Sequence, residues 1–113
     1  MKKDPQVFLK HILDSIESIE KYTHGLMEKE FYASSEKQDA VIRKIEVIGE
    51  AVRNLAEDFK EQYPNIVWRK IAGMRDKLIH EYFEVDLELV WEVTQKDLPI
   101  LKENILKIAR PLD

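Results

Sequence analysis

The chain has 113 residues, no cysteine and a formal net charge of −4, with 44% hydrophobic and 35% charged residues and only three Gly and four Pro. This excludes a disulfide scaffold, a thiolate metal site and a general nucleic-acid coat, and leaves a helix-leaning chain small enough to gain from dimerisation. No apolar run approaches the roughly 20 residues that span a bilayer, and Met1-Lys2-Lys3-Asp4-Pro5 lacks the apolar core of a signal peptide. One cytoplasmic domain over residues 1–113 is therefore expected, with no membrane contact.

Asp4-Pro5 predicts a helix start, with a capping carboxylate and a proline at the first helical position. Phe8, Ile12, Ile16 and Ile19 then trace one helical face, and His24-Gly25 predicts the stop. A connector with one short turn runs from Leu26 to Ala33. Ser34-Ser35 opens the longest predicted element, with Ser35 and Gln38 fitting a capping box. Val41, Ile45, Ile48, Val52, Leu55, Phe59 and Tyr63 form a near-heptad stripe over about seven turns. Tyr63-Pro64-Asn65 ends it. Gly49 inside this helix costs roughly 1 kcal/mol relative to Ala, which predicts a close helix crossing there.

A third helix, capped by Asn65, holds Trp68, Ile71, Met74, Leu78 and Ile79. Val85-Asp86 is a hydrophobic residue plus cap for a fourth, with Leu87, Val90, Trp91 and Val93, and Pro99 kinks or restarts it. Nothing alternates like a strand. The expected fold class is all-α, an up-and-down bundle of four to five helices.

The segment Arg75-Asp76-Lys77-Leu78-Ile79-His80-Glu81-Tyr82 carries the candidate chemistry. A guanidinium is a permanent cation suited to phosphate, and an imidazole exchanges protons near neutrality. Together they suffice to cleave a phosphodiester without a metal. Arg69, Lys70, Arg75 and Lys77 against Asp76 make a window of net +3 in an acidic chain, so Arg69 and Lys70 are candidate RNA contacts. A solvated helix face with incidental basicity is the competing reading. His80 would abstract the ribose 2′-hydroxyl proton or protonate the leaving 5′-oxygen, Arg75 would neutralise the phosphorane-like transition state, and Asp76, Lys77 and Tyr82 would position or tune. On a continuous helix Arg75 and Tyr82 lie within about 20° of each other, while His80 sits about 140° from Arg75. Glu81-Tyr82-Phe83-Glu84-Val85-Asp86 suggests a helix end within a few residues of His80, which would relieve this. The favoured solution is a two-fold dimer with both motifs facing one cleft, which also suits a small domain with broad apolar helix faces.

The Arg-x4-His-x-Tyr core at Arg75, His80 and Tyr82 resembles the HepT-like branch of the HEPN superfamily. Its lead-in, Pro64-x-x-x-Trp68-x-x-Ile71-x-Gly73-Met74, resembles that family's, as do Gly49-Glu50-Ala51, Val85-Asp86 and Val90-Trp91. The resemblance implies a homodimeric, metal-independent ribonuclease toxin of a toxin–antitoxin pair, with Arg75 and His80 catalytic. It also implies an MNT-type nucleotidyltransferase antitoxin as partner, able to add AMP to Tyr82. A bulky anion two residues from His80 would block the cleft and repel an RNA phosphate.

No cofactor is expected. His11 and Asp14, with scattered His24, Glu28 and Glu81, fit no metal-binding pattern. Gly25, Gly49 and Gly73 stand alone, so no phosphate loop is expected. Trp91 reads as core, and Trp68 as either core or a base-stacking ring. Two other readings stand beside the ribonuclease: a non-catalytic nucleotide- or substrate-binding subunit of a two-component nucleotidyltransferase, and a plain helical assembly protein.

Overall fold

A computed structural model describes residues 4–81 and 84–111, without the side chains of His80 and Glu81. Helix α1 (Pro5–Thr23) starts where Asp4 accepts from the Gln6 amide at 2.9 Å and stops at His24. Gly25 follows at φ +71°, the left-handed conformation a glycine adopts without cost. The short α2 (Glu28–Tyr32) fills the expected connector.

Helix α3 (Ser35–Asn54) is capped by Ser34 rather than Ser35: the Ser34 hydroxyl accepts from the Lys37 amide at 3.1 Å. Gln38, expected to complete a capping box, instead donates to the Phe31 and Tyr32 carbonyls, tying α3 to the end of α2. The seven-turn helix predicted through Tyr63 is not continuous. It breaks at Leu55-Ala56, where Leu55 is extended, and resumes as α4 (Glu57–Glu61). The apolar periodicity survives the break because Leu55 still turns into the core.

The third predicted helix is also two pieces, α5 (Trp68–Ala72) and α6 (Met74–Leu78), joined at Gly73. Val67, not Asn65, precedes its first turn. Trp68 is buried, and its indole N–H donates to the Lys60 and Tyr63 carbonyls at 3.1 and 3.2 Å, so it anchors α5 on α4 and offers no open ring to a base. After Leu78 the chain is extended. Strand β1 (Ile79–Glu81) pairs antiparallel with β2 (Glu84–Val85), and the Asp86 amide closes the pair on the Leu78 carbonyl at 3.0 Å. This small ladder corrects the expectation of no strand: the stretch is too short to show alternation.

Asp86 caps α7 (Leu87–Glu92), accepting from the Leu89 amide at 3.1 Å. A π-helical turn over Val93–Asp97 leads into α8 (Leu98–Ile108), with the Leu98 amide donating to the Val93 carbonyl. Pro99 has no N–H to continue the α pattern and its ring crowds the preceding turn, which a wider turn relieves. Gln6 bonds to Ile108 and Arg110 while Lys102 pairs with Glu20 at 2.9 Å, so α8 lies antiparallel to α1. Leu9, Ile12, Phe31, Val41, Ile48, Val90 and Ile105 form the centre of the core, and Trp91 packs on Phe31 at 5.4 Å between ring centroids. The fold is all-α in class, as expected, with the β1–β2 pair as its one departure among the described residues.

The crossing expected at Gly49 is present. A Cβ on Gly49 would stand 3.2 Å from the backbone oxygen of Ala72. Gly49→Val should therefore destabilise the chain by about 1–3 kcal/mol, because a β-branched side chain must push α3 off the α5–α6 joint. Urea unfolding monitored by circular dichroism checks this; an unchanged midpoint would mean the joint yields freely.

Candidate active site

Arg75 lies in the first turn of α6, its side chain 42% exposed. Its guanidinium stands 3.5 Å from Asp76 and 4.0 Å from Glu46 on α3. Asp76 is shared: its other oxygen is 3.8 Å from Arg53, which also reaches Glu50 at 3.7 Å. Arg53 is held further by donating to the Ala72 carbonyl at 2.7 Å. That carbonyl is at the C-terminal end of α5, where the helix dipole favours a cation. One arginine of α3 thus grips both the end of α5 and the start of α6, and so sets where Arg75 emerges.

The five residues Arg75–Ile79 cross from helix to strand. Leu78 and Ile79 are both buried, which pins the crossover to the core. His80 has its backbone in β1, on a different element from Arg75; its side chain lies outside the described residues, as does Tyr82 altogether. The helical angles that separate Arg75 from His80 and align it with Tyr82 therefore do not apply, since the helix ends at Leu78.

Arg75 and Asp76 border an open groove of about 720 Å³ whose other walls are Phe8 and His11 of α1, with Arg43, Val47 and Ala51 of α3 among the lining residues. Lys70 and Lys77 line a separate, more apolar groove between α5–α6 and α8, beside Val67, Met74 and Ile100. The basic window is thus divided between two faces. Arg69 and Lys70 are exposed and remain available to a polyanion. Among the described residues no three His, Asp or Glu side chains converge as a metal site, and no helix is long and apolar enough to cross a membrane.

The family model described as "Ribonuclease HepT-like" matches residues 12–108. The chain belongs to the HepT-like ribonuclease family.

A relative from Thermococcus cleftensis, named "Probable ribonuclease HepT", is 42% identical over 110 residues, covering 97% of this chain and all of its own length. "Putative RNase" from Caldanaerobacter subterraneus is 40% identical over 108 residues, with 96% of each chain covered. A longer relative from Methanocaldococcus jannaschii, "Gamma-glutamylcyclotransferase and putative RNase", is 56% identical over 113 residues, all of this chain but 51% of its own. The chain spans about half the length of that relative. No solved structure matches. Set in the HepT-like fold, the Arg-x4-His spacing is a helix end followed by a strand, and α3 supplies polar residues the motif does not contain. Arg43, Glu46, Glu50 and Arg53 recur at spacings of three, four and three. That polar stripe, opposite the apolar face of an amphipathic helix, was the available signal for them.

Arg53→Ala should lower stability by about 1 kcal/mol, as expected for a half-exposed charged hydrogen bond. The corresponding drop in Tm is about 3–6 °C. Arg53→Lys should recover only part, because one ammonium nitrogen does not reproduce the planar fork whose two nitrogens reach Ala72 and Asp76 on one side and Glu50 on the other. Thermal unfolding at low and high salt checks this; a Tm unchanged in Arg53→Ala would show that the α5–α6 joint holds without the clasp.

Proposed function

We propose that this chain is a metal-independent endoribonuclease of the HEPN type, the toxin of a toxin–antitoxin pair, with Arg75 and His80 as its catalytic pair. The observation that carries the reading is the placement of Arg75, half-exposed at a groove edge, on a helix that stops three residues later so that the His80 backbone lies in a separate element. Membership in the HepT-like family supports it, as do the ribonuclease names of relatives matched over nearly their full length.

In this reading His80 takes the proton from the ribose 2′-hydroxyl, or its counterpart in a second copy gives one to the leaving 5′-oxygen. The 2′-oxygen forms a bond to phosphorus as the bond to the 5′-oxygen breaks, leaving a 2′,3′-cyclic phosphate and a 5′-hydroxyl. Arg75 neutralises the charge that builds on the non-bridging oxygens, and Asp76 orients Arg75. Lys77 attracts RNA from the neighbouring face. DNA lacks the attacking hydroxyl and is not cut. The working unit is a homodimer in the cytoplasm, neutralised by an MNT-type nucleotidyltransferase.

Purified protein incubated with RNA in EDTA should leave cyclic-phosphate ends. His80→Ala should slow cleavage by about 10²–10⁴-fold and Arg75→Ala by about 10²–10³-fold. Inactive wild-type protein that still loses nucleotide or partner binding in Arg75→Ala would favour the binding-subunit reading. The two carboxylates beside Arg75 give that reading its support, since they already offset part of its charge.

Regulation by adenylylation would transfer AMP from ATP to the Tyr82 hydroxyl, with pyrophosphate leaving. Tyr32, the tyrosine beside α7, is committed to a 2.8 Å hydrogen bond to Glu28; desolvation, that bond and the charges of Glu28, Glu88 and Asp86 push its hydroxyl up to about 12. Mass spectrometry after co-expression with the antitoxin should find the adduct on Tyr82; finding it only elsewhere, or nowhere, would overturn this step.

A further inference from the structure

The groove bordered by Arg75 continues across the exposed ridge of α3 to α1. We propose that this groove is a nucleotide subsite, in which His11 and Phe8 receive the base of a nucleotide flanking the scissile phosphate and Arg43 receives its phosphate.

Three features carry this. First, one wall is a ring wall: Phe8 and His11 stand edge to face, centroids 6.3 Å apart at 84°, with His11 exposed. Unstacked RNA bases are held on aromatic and imidazole rings of this kind. Second, the floor between the ring wall and α6 includes the small apolar side chains Val47 and Ala51, which leave room for a flat group. The volume of about 720 Å³ falls within the roughly 300–1,000 Å³ range of small-molecule sites. Third, the cations of the groove are not equivalent. Arg53 and Arg75 are engaged by Glu46, Glu50 and Asp76, whereas Arg43 is exposed and has no ion pair among the described residues. Arg43 is therefore the guanidinium free to meet a phosphate without first giving up a carboxylate. Single-stranded RNA is gripped by this combination of ring and cation.

The subsite rests on the ribonuclease reading for its link to cleavage, but its occupancy is measurable without turnover. The probe is a fluorescein-labelled oligoadenylate of about six nucleotides, titrated into the His80→Ala chain by fluorescence anisotropy. His11→Ala in that background should weaken binding about fivefold or more, the loss of a stacked base, and His11→Phe should restore most of it. Arg43→Ala should weaken binding and make the dependence of log affinity on log salt shallower by about 0.7, one phosphate contact on a single strand. Circular dichroism of each variant separates these losses from unfolding, and both side chains are exposed. Oligoadenylate affinity unchanged in both folded variants, or no binding at all, overturns the subsite. Cleavage by the wild type together with unchanged binding in the variants sinks the subsite alone. Binding that needs His11 and Arg43 in a chain whose wild type never cuts RNA upholds the subsite and sinks the ribonuclease reading.

Discussion

The structure depends on how closely α3 passes the joint between α5 and α6. Gly49 has no side chain to keep the Ala72 carbonyl away, and one turn further along α3 Arg53 donates to that same carbonyl at 2.7 Å. The pairing is reciprocal. The missing Cβ brings the α5 end near, and the arginine supplies a donor to a carbonyl that the end of a helix leaves without an intrahelical partner. From there the geometry propagates by short steps. Gly73 turns the chain, α6 begins with Arg75 and Asp76 beside Arg53, and Leu78 and Ile79 lock the exit into β1.

The electrostatics around Arg75 follow from the same clasp. Arginines and carboxylates alternate across α3 and α6, with Asp76 between Arg53 and Arg75 and with Glu46 and Glu50 on the α3 side. Half-exposed pairs of this kind contribute little to stability. Their effect is orientation: a guanidinium already aimed by carboxylates loses less freedom when an anion arrives, and preorganised charge is what stabilises a transition state. The cost is competition, because a phosphate entering beside Arg75 meets Asp76 and Glu46 as well. Further along the groove Arg43, which has no ion pair among the described residues, would ease part of that conflict in the proposed subsite.

Much of this was legible in the chain itself, for identifiable reasons. Caps at Asp4 and Asp86, the Gly25 stop and the α1 stripe depend on interactions within one or two turns, and they appear where expected. The crossing at Gly49 was legible because a glycine inside a helix needs a cause. The break at Leu55-Ala56 was not, since Leu55 keeps the apolar period whether the backbone is helical or extended. The end of α6 was partly legible: Glu81 to Asp86 suggested a stop within a few residues of His80, but nothing between Arg75 and Glu81 is a helix breaker, and the chain leaves the helix earlier, at Ile79, where it pairs with Val85. For the site, a linear basic window reads as one patch, but Arg75 and Lys77 stand about 200° apart around α6, so Lys70 and Lys77 line the groove toward α8 and Arg75 the groove toward α3. His11 and Arg43 belong to helices far from the motif in sequence, and only the packing of α1 and α6 on α3 makes them neighbours of one groove.

The helix end at Leu78 also changes what the spacing of the motif means. On an unbroken helix, five residues place Arg and His on divergent faces, and a second copy is needed to bring the two functions together. Across a helix-to-strand junction, the same five residues carry Arg75 and His80 on elements with different directions, and the angular argument for a dimer falls away. A two-fold cleft then has a different purpose. In-line displacement needs a base on one side of phosphorus and an acid on the other, and one imidazole per chain cannot stand on both. Pairing two copies of His80 would supply both roles, and it ties the proposed dimer to the chemistry of the reaction rather than to the pitch of a helix.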